Sequence, residues 1–441
     1  MLKKKILAIH LNEFNLEFLR KGANKYNCQN IKKILNYKVI KTYSQDKIQD
    51  KNLDPWVQSV SINTGIKSKI HKIYNLGEKI PNKLNQIWDI LSKRNIKCAV
   101  WGAMNASYKK NDNLKIFFPD PWNNLISPRP IDLKYVFQFP KAYAQNYTDF
   151  KIINNLYSFL LFFLSCLKFG ILTYFTKKII FYLKIFLTSG LSNYFLFFLF
   201  DIISIKLFKN YTKNKELDFS LIFLNSLAHF QHNNWDEKKN YHKYFLLTEE
   251  ICKIINQISL KYDDIIIYNG FTQKKIKTEF IIRPKNPNKF LKKIGVKFKK
   301  LNTNMTNGGI LSFNNKRQKE ISIKKLKNFN IFGYKLFKIT NIGSNNFFFK
   351  IQIKSHSSFD NLSINPNKKK IIKEIFYDNK KLMLKKINLD YSFDNFKNDM
   401  VFIKTTGKHH YEGHLLMKNQ LTKKNKIENK DIFLLLKNYF K

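Results

Sequence analysis

The chain has 441 residues, 44% of them hydrophobic and 25% charged, so it can bury a sizeable core and is not disordered throughout. Lysine and arginine outnumber aspartate and glutamate by 79 to 31, which gives a formal net charge of +48. Only five of the 79 basic residues are arginine, whose planar fork reads guanine and phosphate, so the charge does not favour a specific nucleic-acid reader. Abundant Lys, Asn, Ile and Phe instead indicate an AT-rich genome and dispersed surface charge.

The four cysteines, Cys28, Cys98, Cys166 and Cys252, lie far apart and form no CxxC pair. This spacing argues against a disulfide framework or a structural zinc site, and it predicts a reducing, cytoplasmic compartment. The apolar run at residues 6–11 is too short for a signal-peptide core and predicts a first β-strand.

Strand-like and helix-like segments alternate along most of the chain. We predict strands at residues 5–10, 37–42, 97–101, 219–224, 264–268 and 401–404, a short β region near 346–353, and helices at 15–20, 83–94, 237–260 and 431–439. Such alternation predicts an α/β fold, a doubly wound and mostly parallel sheet with helices on both faces.

Residues 151–210 differ in character, because they are rich in Phe, Leu, Ile and Tyr. Their length permits membrane spans, whereas Lys168, Lys184 and Asp201 within the stretch favour a helical insert on the core or on a membrane surface. Both alternatives stay open. The predicted organisation is a main α/β domain at 1–150 and 211–441, an apolar helical insert at 151–210, and a Lys- and Asn-rich cap region at 280–400 within the main domain.

Polar residues follow three predicted strands. Asn12 and Glu13 follow the first strand, a pair of histidines lies in NSLAHFQHNNW after the strand at 219–224, and another pair follows the strand at 401–404. The carboxyl ends of parallel strands share one edge, where ligands bind, so we expect the three clusters to converge. Imidazole is a common metal ligand and acid–base group, although ordinary loop histidines are the alternative.

Two further motifs lie between the first strands. In LDPWVQSVSINTG, a helix is predicted to begin after Pro55 and Trp56, so Ser59 and Ser61 either cap it or stand exposed near an anion-binding helix start. In FFPDPWNN, the prolines predict a rigid loop in which Asp120 is a functional acid or only a turn residue.

Five motifs in this order resemble the alkaline phosphatase-like superfamily, which includes sulfatases and type I phosphodiesterase/nucleotide pyrophosphatases. They are LNE at 11–13, TGIKSKIH at 64–71, AHFQH at 228–232, YNGF at 268–271 and TGKHHYEG at 406–413. The likeness is greatest to a poorly characterised branch of this superfamily, and it spans nearly the whole chain.

The resemblance implies a two-metal site, but several of its ligands are replaced. Asn12 and Glu13 stand where the first strand delivers an Asp, Gln58 stands near the nucleophile position, and Ala228 stands four residues before His232 in place of an Asp. Tyr268, Asn269 and Gly270 replace an Asp-His-Gly triplet. The late histidine is retained as His409, with His410 beside it. We therefore expect weak or unusual binding of one divalent metal, zinc or manganese, at a degenerate site.

The function expected from the resemblance is a hydrolase or transferase acting on a phosphate, sulfate or phosphodiester group, glycan- or lipid-linked in some cases. The alternative is a catalytically degenerate binding or scaffold protein. The expected partners are an anionic or glycan-linked substrate and no specific nucleic acid, with peripheral membrane contact through 151–210 left open. The site residues expected are Gln58, Ser59, Ser61 and His229 for catalysis, Glu13, His232, His409 and His410 for metal binding, and Asn12, Thr64, Asn225 and Asn269 for substrate binding.

Overall fold

The structure, a computed structural model, describes residues 4–46, 53–123, 126–146, 151–189, 193–303, 308–331, 334–351, 354–355, 375–377, 380–381 and 399–441. The chain divides into two compact units. The first comprises Met1–Ala144, Lys151–Lys275 and Gly407–Lys441, and the second comprises Gln145–Phe150 and Ile276–Thr406. The predicted cap region at 280–400 falls within the second unit.

The first unit is built on an eight-stranded sheet. Its strands are β1 (Ile6–Leu11), β2 (Lys38–Tyr43), β3 (Cys98–Trp101), β4 (Leu114–Phe118), β5 (Phe219–Leu224), β6 (Asp264–Tyr268), β18 (Glu412–Met417) and β19 (Lys426–Glu428). The order across the sheet is β19-β2-β18-β6-β1-β5-β3-β4. The β1, β3, β4, β5 and β6 strands pair in parallel, as do β2 and β19, while β18 runs antiparallel to both of its neighbours. The prediction of a doubly wound, mostly parallel sheet is confirmed.

The helices of the first unit come from every part of its sequence. They are α1 (Leu16–Lys25), α2 (Gln29–Leu35), α3 (Pro55–Thr64), α4 (Ser68–His71), α5 (Ile87–Lys93), α6 (Leu133–Asn146, whose last two residues belong to the second unit), α7 (Leu156–Lys168), α8 (Ile171–Thr176), α9 (Ile179–Ser189), α10 (Asn193–Tyr211), α11 (Ser226–Asn233), α12 (Tyr241–Ser259) and α15 (Ile432–Tyr439). Short 3₁₀ segments lie at Ile152–Asn155, Lys238–Asn240 and Asn429–Asp431.

The sheet is buried because its central strands are continuous apolar runs. Every residue of β1, β3, β5 and β6 is buried, the pattern of a parallel sheet that is covered on both faces. On one face, α3, α5 and α15 contribute Ile62, Trp88 and Phe433 to the core. Toward the other helix layer, Trp101 of β3 donates from Nε1 to the hydroxyl of Ser204 on α10 at 2.8 Å.

The second unit contains two further helices, α13 (Pro287–Lys293) and α14 (Lys316–Asn328). Its strands are β8 (Lys300–Thr303), β9 (Gly308–Ser312), β10 (Asn330–Ile331), β11 (Tyr334–Lys335), β12 (Phe337–Asn341), β13 (Asn346–Ile351), β14 (Lys354–Ser355), β15 (Ile375–Tyr377) and β16 (Lys380–Lys381). Two long strands, β7 (Thr272–Pro284) and β17 (Met400–His410), begin or end in the first unit. A four-stranded sheet has the order β12-β13-β9-β8, and a five-stranded sheet has the order β16-β15-β14-β7-β17.

The insert is helical, as predicted, and consists of α7 to α10 after a short 3₁₀ segment. Among the described residues, none of the helices combines the length and the apolar composition that crossing a bilayer requires. The last insert helix, α10, packs against α11 and α12.

The strands predicted at 5–10, 37–42 and 97–101 differ from the observed ones by one residue, whereas the strand predicted at 401–404 is much longer. The strand expected at 401–404 continues to His410, so the two late histidines lie within β17 and not in a loop after it. The segment TGKHHYEGH, which follows the predicted strand, is therefore mostly strand, because backbone pairing continues through this polar sequence and into β18.

Candidate metal centre

Glu13 occupies the turn directly after β1 and has a φ of 53°, a left-handed conformation that non-glycine residues rarely adopt. Gln231 on α11 holds this turn from both sides. Its Nε2 donates to the backbone oxygen of Glu13 at 2.9 Å, and its Oε1 accepts from the backbone nitrogen of Asn15 at 2.9 Å. The Glu13 side chain is only 1% exposed, and a carboxylate buried to this extent requires cationic or metal partners.

Two histidines from distant parts of the chain complete a cluster with Glu13. Oε2 of Glu13 lies 3.0 Å from Nε2 of His232 and 3.2 Å from Nε2 of His409, and the two Nε2 atoms are 3.3 Å apart. Within the described residues, these three side chains form the group whose ligand atoms are close enough to hold a metal ion. The predicted convergence of the three clusters is confirmed for these members, although His409 lies within β17 and not after it.

The cluster is strongly polarised even without an ion. Burial alone would raise the pKa of Glu13, but His409 and His232 hold it well below its usual range. Burial alone would lower the pKa of His409. The Glu13 carboxylate instead raises this pKa to about 9, with smaller contributions from Asp54 and from a hydrogen bond to the backbone of Leu53. In the metal-free protein at neutral pH, Glu13 is therefore a carboxylate and His409 an imidazolium.

Two amides fix the Glu13 carboxylate. Gln273 at the start of β7 donates from Nε2 to Oε2 of Glu13 and also to the backbone oxygen of Ala228, at 3.2 Å for the latter. Asn12 donates from Nδ2 to Oε1 of Glu13 at 3.1 Å. Two buried side-chain oxygens, Oδ1 of Asn12 and Oε1 of Gln273, have no hydrogen-bond partner among the described residues. Orphaned acceptors of this kind are expected where water or a cation completes a site.

A hydrogen-bonded chain connects Glu13 to three more of the predicted residues. Nδ2 of Asn12 also donates to Oδ1 of Asn225 at 2.7 Å, and Nδ2 of Asn225 lies 3.1 Å from Nε2 of His229. The His229 ring stacks on Phe197 of α10 with a centroid separation of 3.5 Å. Burial lowers the pKa of His229 to about 3, so this imidazole is neutral.

The helix that carries His232 is anchored by the insert. Asp201 on α10 accepts from the backbone nitrogens of Asn225 and Ser226 at 2.8 and 2.7 Å, which are the first free N–H groups of α11. Burial raises the pKa of Asp201 to about 6. The insert thus supplies both the cap of α11 and the ring on which His229 stacks.

The serines predicted as nucleophiles do not lie where the sequence placed them. Pro55 is the first residue of α3, so Ser59 and Ser61 lie in the middle of this helix, fully buried, and not near its N-terminus. Oγ of Ser61 is 3.0 Å from Nε2 of His71, whose Nδ1 accepts from the backbone nitrogen of Ile73 at 3.0 Å. The His71 proton is therefore on Nε2, so His71 cannot take a proton from the Ser61 hydroxyl.

Other residues predicted on or near α3 have structural partners. Nδ2 of Asn63 donates to Oγ of Ser59 at 3.3 Å, and Oγ1 of Thr64 donates to the backbone of Val60 at 2.7 Å. Nε2 of Gln58 donates to Oδ2 of Asp46 at 2.7 Å, and its Oε1 accepts from Nδ2 of Asn429 at 2.6 Å. These four hydrogen bonds hold α3 in the core.

His410 and Asn269 also lie outside the three-residue cluster. Adjacent residues of a strand point to opposite faces, so His409 and His410 of β17 cannot both face Glu13. Nδ1 of His410 accepts instead from the backbone nitrogen of Glu412 at 3.4 Å. Asn269 donates to the backbone oxygen of Phe14 at 2.7 Å and accepts from the backbone of His414, which fixes the β6 end to the β1 turn.

Sequence reasoning missed three residues near the cluster. Asp54, the residue before α3, has its Oδ1 3.9 Å from Nδ1 of His409, and Gln273 and Asp201 support Glu13 and α11 as described above. Asp54 had a detectable signal, because Asp immediately before Pro is a common N-cap pattern. Gln273 and Asp201 had none, because their partners are 260 and at least 24 residues away in sequence.

Comparison with known proteins gives only distant likenesses. No family model and no curated protein sequence matches the chain. Among solved structures, human ectonucleotide pyrophosphatase/phosphodiesterase 5 is similar at 9% identity and a TM-score of 0.45, over 98% of this chain and 94% of that one. Phosphonoacetate hydrolase from Sinorhizobium meliloti 1021 is similar at 10% identity and a TM-score of 0.45, over 100% and 96%.

A multiply substituted alkaline phosphatase PafA is similar at 12% identity and a TM-score of 0.43, over 99% of this chain and 96% of that one. Because the likeness is distant, the activity of this chain has to be argued from its own side chains.

Proposed function

We propose that the protein is a hydrolase for a phosphate, sulfate or phosphodiester group and uses one divalent metal ion held by Glu13, His232 and His409. The observation that carries the proposal is the spacing of the three ligand atoms, at 3.0, 3.2 and 3.3 Å. Ligands about 2.1 Å from a tetrahedral zinc ion lie about 3.4 Å from one another, so the three atoms already mark one face of such a tetrahedron.

The type of ligand also supports a catalytic ion over a structural one. Two imidazoles and one carboxylate are a set used by zinc hydrolases, in which the fourth position is left to water or substrate. The imidazoles of His232 and His409 are 29% and 22% exposed, so the centre is reached from solvent past these rings, while Glu13 closes its inner side. One carboxylate leaves a dication with a net positive charge, which favours an anionic substrate.

When bound, the ion supplies a Lewis acid and lowers the pKa of its water. The protein supplies the orientation of the ligands. Gln273 and Asn12 hold the Glu13 carboxylate, and His409 directs Nδ1 toward Leu53 and Asp54, which leaves Nε2 to face the ion. Binding of the ion requires His409 to give up its Nε2 proton, so affinity rises with pH up to about 9.

We propose that water, and not a serine hydroxyl, is the nucleophile. Ser59 and Ser61 are 0% and 2% exposed and accept hydrogen bonds from Asn63 and His71, so a substrate cannot reach them without opening α3. His229 is neutral and accepts from Nδ2 of Asn225, so the chain through Asn225 and Asn12 orients the Glu13 carboxylate. Side-chain amides do not relay protons, and a base with a pKa of about 3 does not hold a proton at neutral pH, so we assign His229 a positioning role.

A binding or scaffold function is the second candidate, and one observation favours it. The Glu13 carboxylate already accepts from Gln273 and Asn12 and lies beside the two imidazoles, so its negative charge is compensated even without a metal. A site of this kind can hold an anionic or glycan-linked partner through the protonated His409 without catalysing a reaction.

An ester panel distinguishes the two candidates. The full-length protein is treated with a chelator, reloaded with zinc or manganese, and assayed on p-nitrophenyl phosphate, bis(p-nitrophenyl) phosphate and p-nitrophenyl sulfate. The hydrolase proposal predicts turnover of at least one ester, its loss on chelation, its return on reloading, and its absence in Glu13→Gln. The matched control Glu17→Gln, at an exposed position of α1, should keep full activity. No turnover by the loaded protein, with inorganic phosphate still bound, would support the binding function instead.

A further inference from the structure

The outward sides of α7, of α9 and of the 3₁₀ segment before α7 carry an unusual concentration of exposed apolar side chains, which we call the insert face. Among the described residues, fourteen of the twenty-three exposed large hydrophobic side chains lie between residues 152 and 187. The members are Ile152, Ile153, Leu156, Tyr157, Phe159, Leu160, Phe163, Leu164, Leu167, Ile179, Ile180, Leu183, Phe186 and Leu187.

Both helices are apolar on the side that faces away from the protein as well as on the side that packs. In α7, Phe162, Ser165 and Cys166 are buried, while the exposed positions between them are Leu and Phe. In α9, Tyr182 and Ile185 are buried, and Ile180 and Leu187 are 81% and 78% exposed. A helix on the surface of a water-soluble domain normally presents polar residues on its outer side, so a partner for this face is required.

The charges around the insert face have one sign. Residues 151–200 contain five lysines and no aspartate, glutamate or arginine. Lys178 pairs with Glu250 of α12, and Lys151, Lys168, Lys177 and Lys184 are exposed. An apolar surface bordered by lysines is complementary to the interfacial region of a bilayer with anionic headgroups.

We propose that the insert face docks on the surface of an anionic lipid bilayer, with α7 and α9 lying in the interfacial region. Helices of 13 and 11 residues are about 20 and 16 Å long, too short for a hydrocarbon core about 30 Å thick, so they lie on the membrane and do not cross it. The exposed apolar side chains enter the acyl boundary, and the lysines contact the headgroups. The proposal does not depend on the hydrolase activity proposed above.

Charge decides between a bilayer and a second copy of the chain. A symmetric dimer through the insert face would bring the four exposed lysines of one copy toward those of the other, with no acid in either segment to compensate them. An anionic bilayer supplies the opposite charge to the same lysines, and a lipid surface accepts the apolar side chains without a specific shape.

The test is flotation of the full-length protein with vesicles of phosphatidylcholine alone or with about 30 mol% phosphatidylglycerol. The wild type should float with the anionic vesicles, and Ile180→Glu/Leu187→Glu should reduce its partition coefficient by about tenfold or more. The matched control Ile70→Glu/Leu260→Glu changes an Ile and a Leu that are 68% and 80% exposed outside the insert, and it should stay within about twofold of the wild type. Thermal melts of all three proteins confirm that exposed substitutions leave the fold intact.

Three results would overturn the proposal. The wild type could fail to float with anionic vesicles, or the two double variants could lose binding equally. The third result is a wild-type dimer in sedimentation equilibrium without lipid that the Ile180→Glu/Leu187→Glu substitutions convert to a monomer. That result would mean that a second copy of the chain covers the insert face.

Discussion

Gly407, two residues before His409, lies where no side chain fits. A Cβ at this position would be 2.3 Å from Oε1 of Gln273 and 2.6 Å from the backbone oxygen of Gln231. Gln231 is part of α11 and cannot move without its helix, so in Gly407→Ala the side chain of Gln273 has to give way. Because Gln273 donates to Glu13, the substitution should disturb the metal centre as well as the packing.

Overpacking of a core position costs about 1–3 kcal/mol, and loss of a hydrogen bond to a charged group costs about 1.5–3 kcal/mol. We therefore expect Gly407→Ala to lower the free energy of unfolding by about 3 kcal/mol. Gly343→Ala is the matched control, because the nearest atom to its Cβ is 3.9 Å away. That variant should be neutral or stabilised by up to about 1 kcal/mol through the entropy of the unfolded chain.

The assay is urea unfolding of the metal-free proteins, followed by zinc competition with a chromophoric chelator. Gly407→Ala should lose stability against Gly343→Ala and also bind zinc about tenfold or more weakly. An unfolding free energy for Gly407→Ala within about 0.5 kcal/mol of the control, with unchanged zinc affinity, would refute the described contact of Gly407 with the two glutamines.

Two further predictions use the buried histidines. Ser61→Ala should keep kcat within about threefold while costing about 1 kcal/mol of stability, because the hydrogen bond between the Ser61 hydroxyl and His71 is lost while the backbone of Val57 still accepts from the ring. A folded but inactive Ser61→Ala would identify Ser61 as the nucleophile. Burial lowers the pKa values of His10 and His229 to about 3, so the unfolded chain binds more protons below pH 6.5 and stability falls as the pH falls. Each should cost about 2 kcal/mol between pH 6.5 and 5, and urea unfolding of His229→Asn should show a smaller pH slope than exposed His242→Asn; equal slopes would contradict this.

The sequence predicted the strands of the central sheet well where burial alone determines them. The predicted segments 219–224 and 264–268 coincide with β5 and β6, because a parallel strand covered on both faces is a continuous apolar run. The long helix predicted at 237–260 is α12 at Tyr241–Ser259. Its apolar residues repeat with the helical period, and the difference lies at its N-terminal end, where Lys238–Asn240 forms a 3₁₀ turn.

The β17–β18 segment could not be found in this way, whereas the short strand β4, LKIFF, is an apolar run that the prediction overlooked. TTGKHHYEGH is polar along most of its length, and its strand conformation depends on pairing with strands that are distant in sequence. For the same reason, periodicity could not show that His409 faces Glu13 while His410 faces away. That alternation follows only once the strand is known to continue through both residues.

The ligands themselves could be predicted in part. Glu13 and His232 follow from the rule that strand ends in a parallel sheet converge, because β1 and β5 are neighbours in that sheet. His409 follows only from the resemblance of the motifs, because β17 belongs to the five-stranded sheet. The residues that orient them could not be predicted, because contacts such as Gln273 with Glu13 depend on packing between distant segments. The helix boundary that buries Ser59 and Ser61 was misjudged, because Pro55 begins α3 instead of preceding it.

The most direct test of the proposed metal centre is a zinc titration of the chelator-treated, full-length protein at pH 7.5 with a competing chromophoric chelator. We predict one ion per chain, with affinity reduced about a hundredfold or more in His232→Ala and His409→Ala and unchanged in the exposed His242→Ala. Two tightly bound ions per chain, no bound ion, or wild-type affinity in His409→Ala would contradict a single site built from Glu13, His232 and His409.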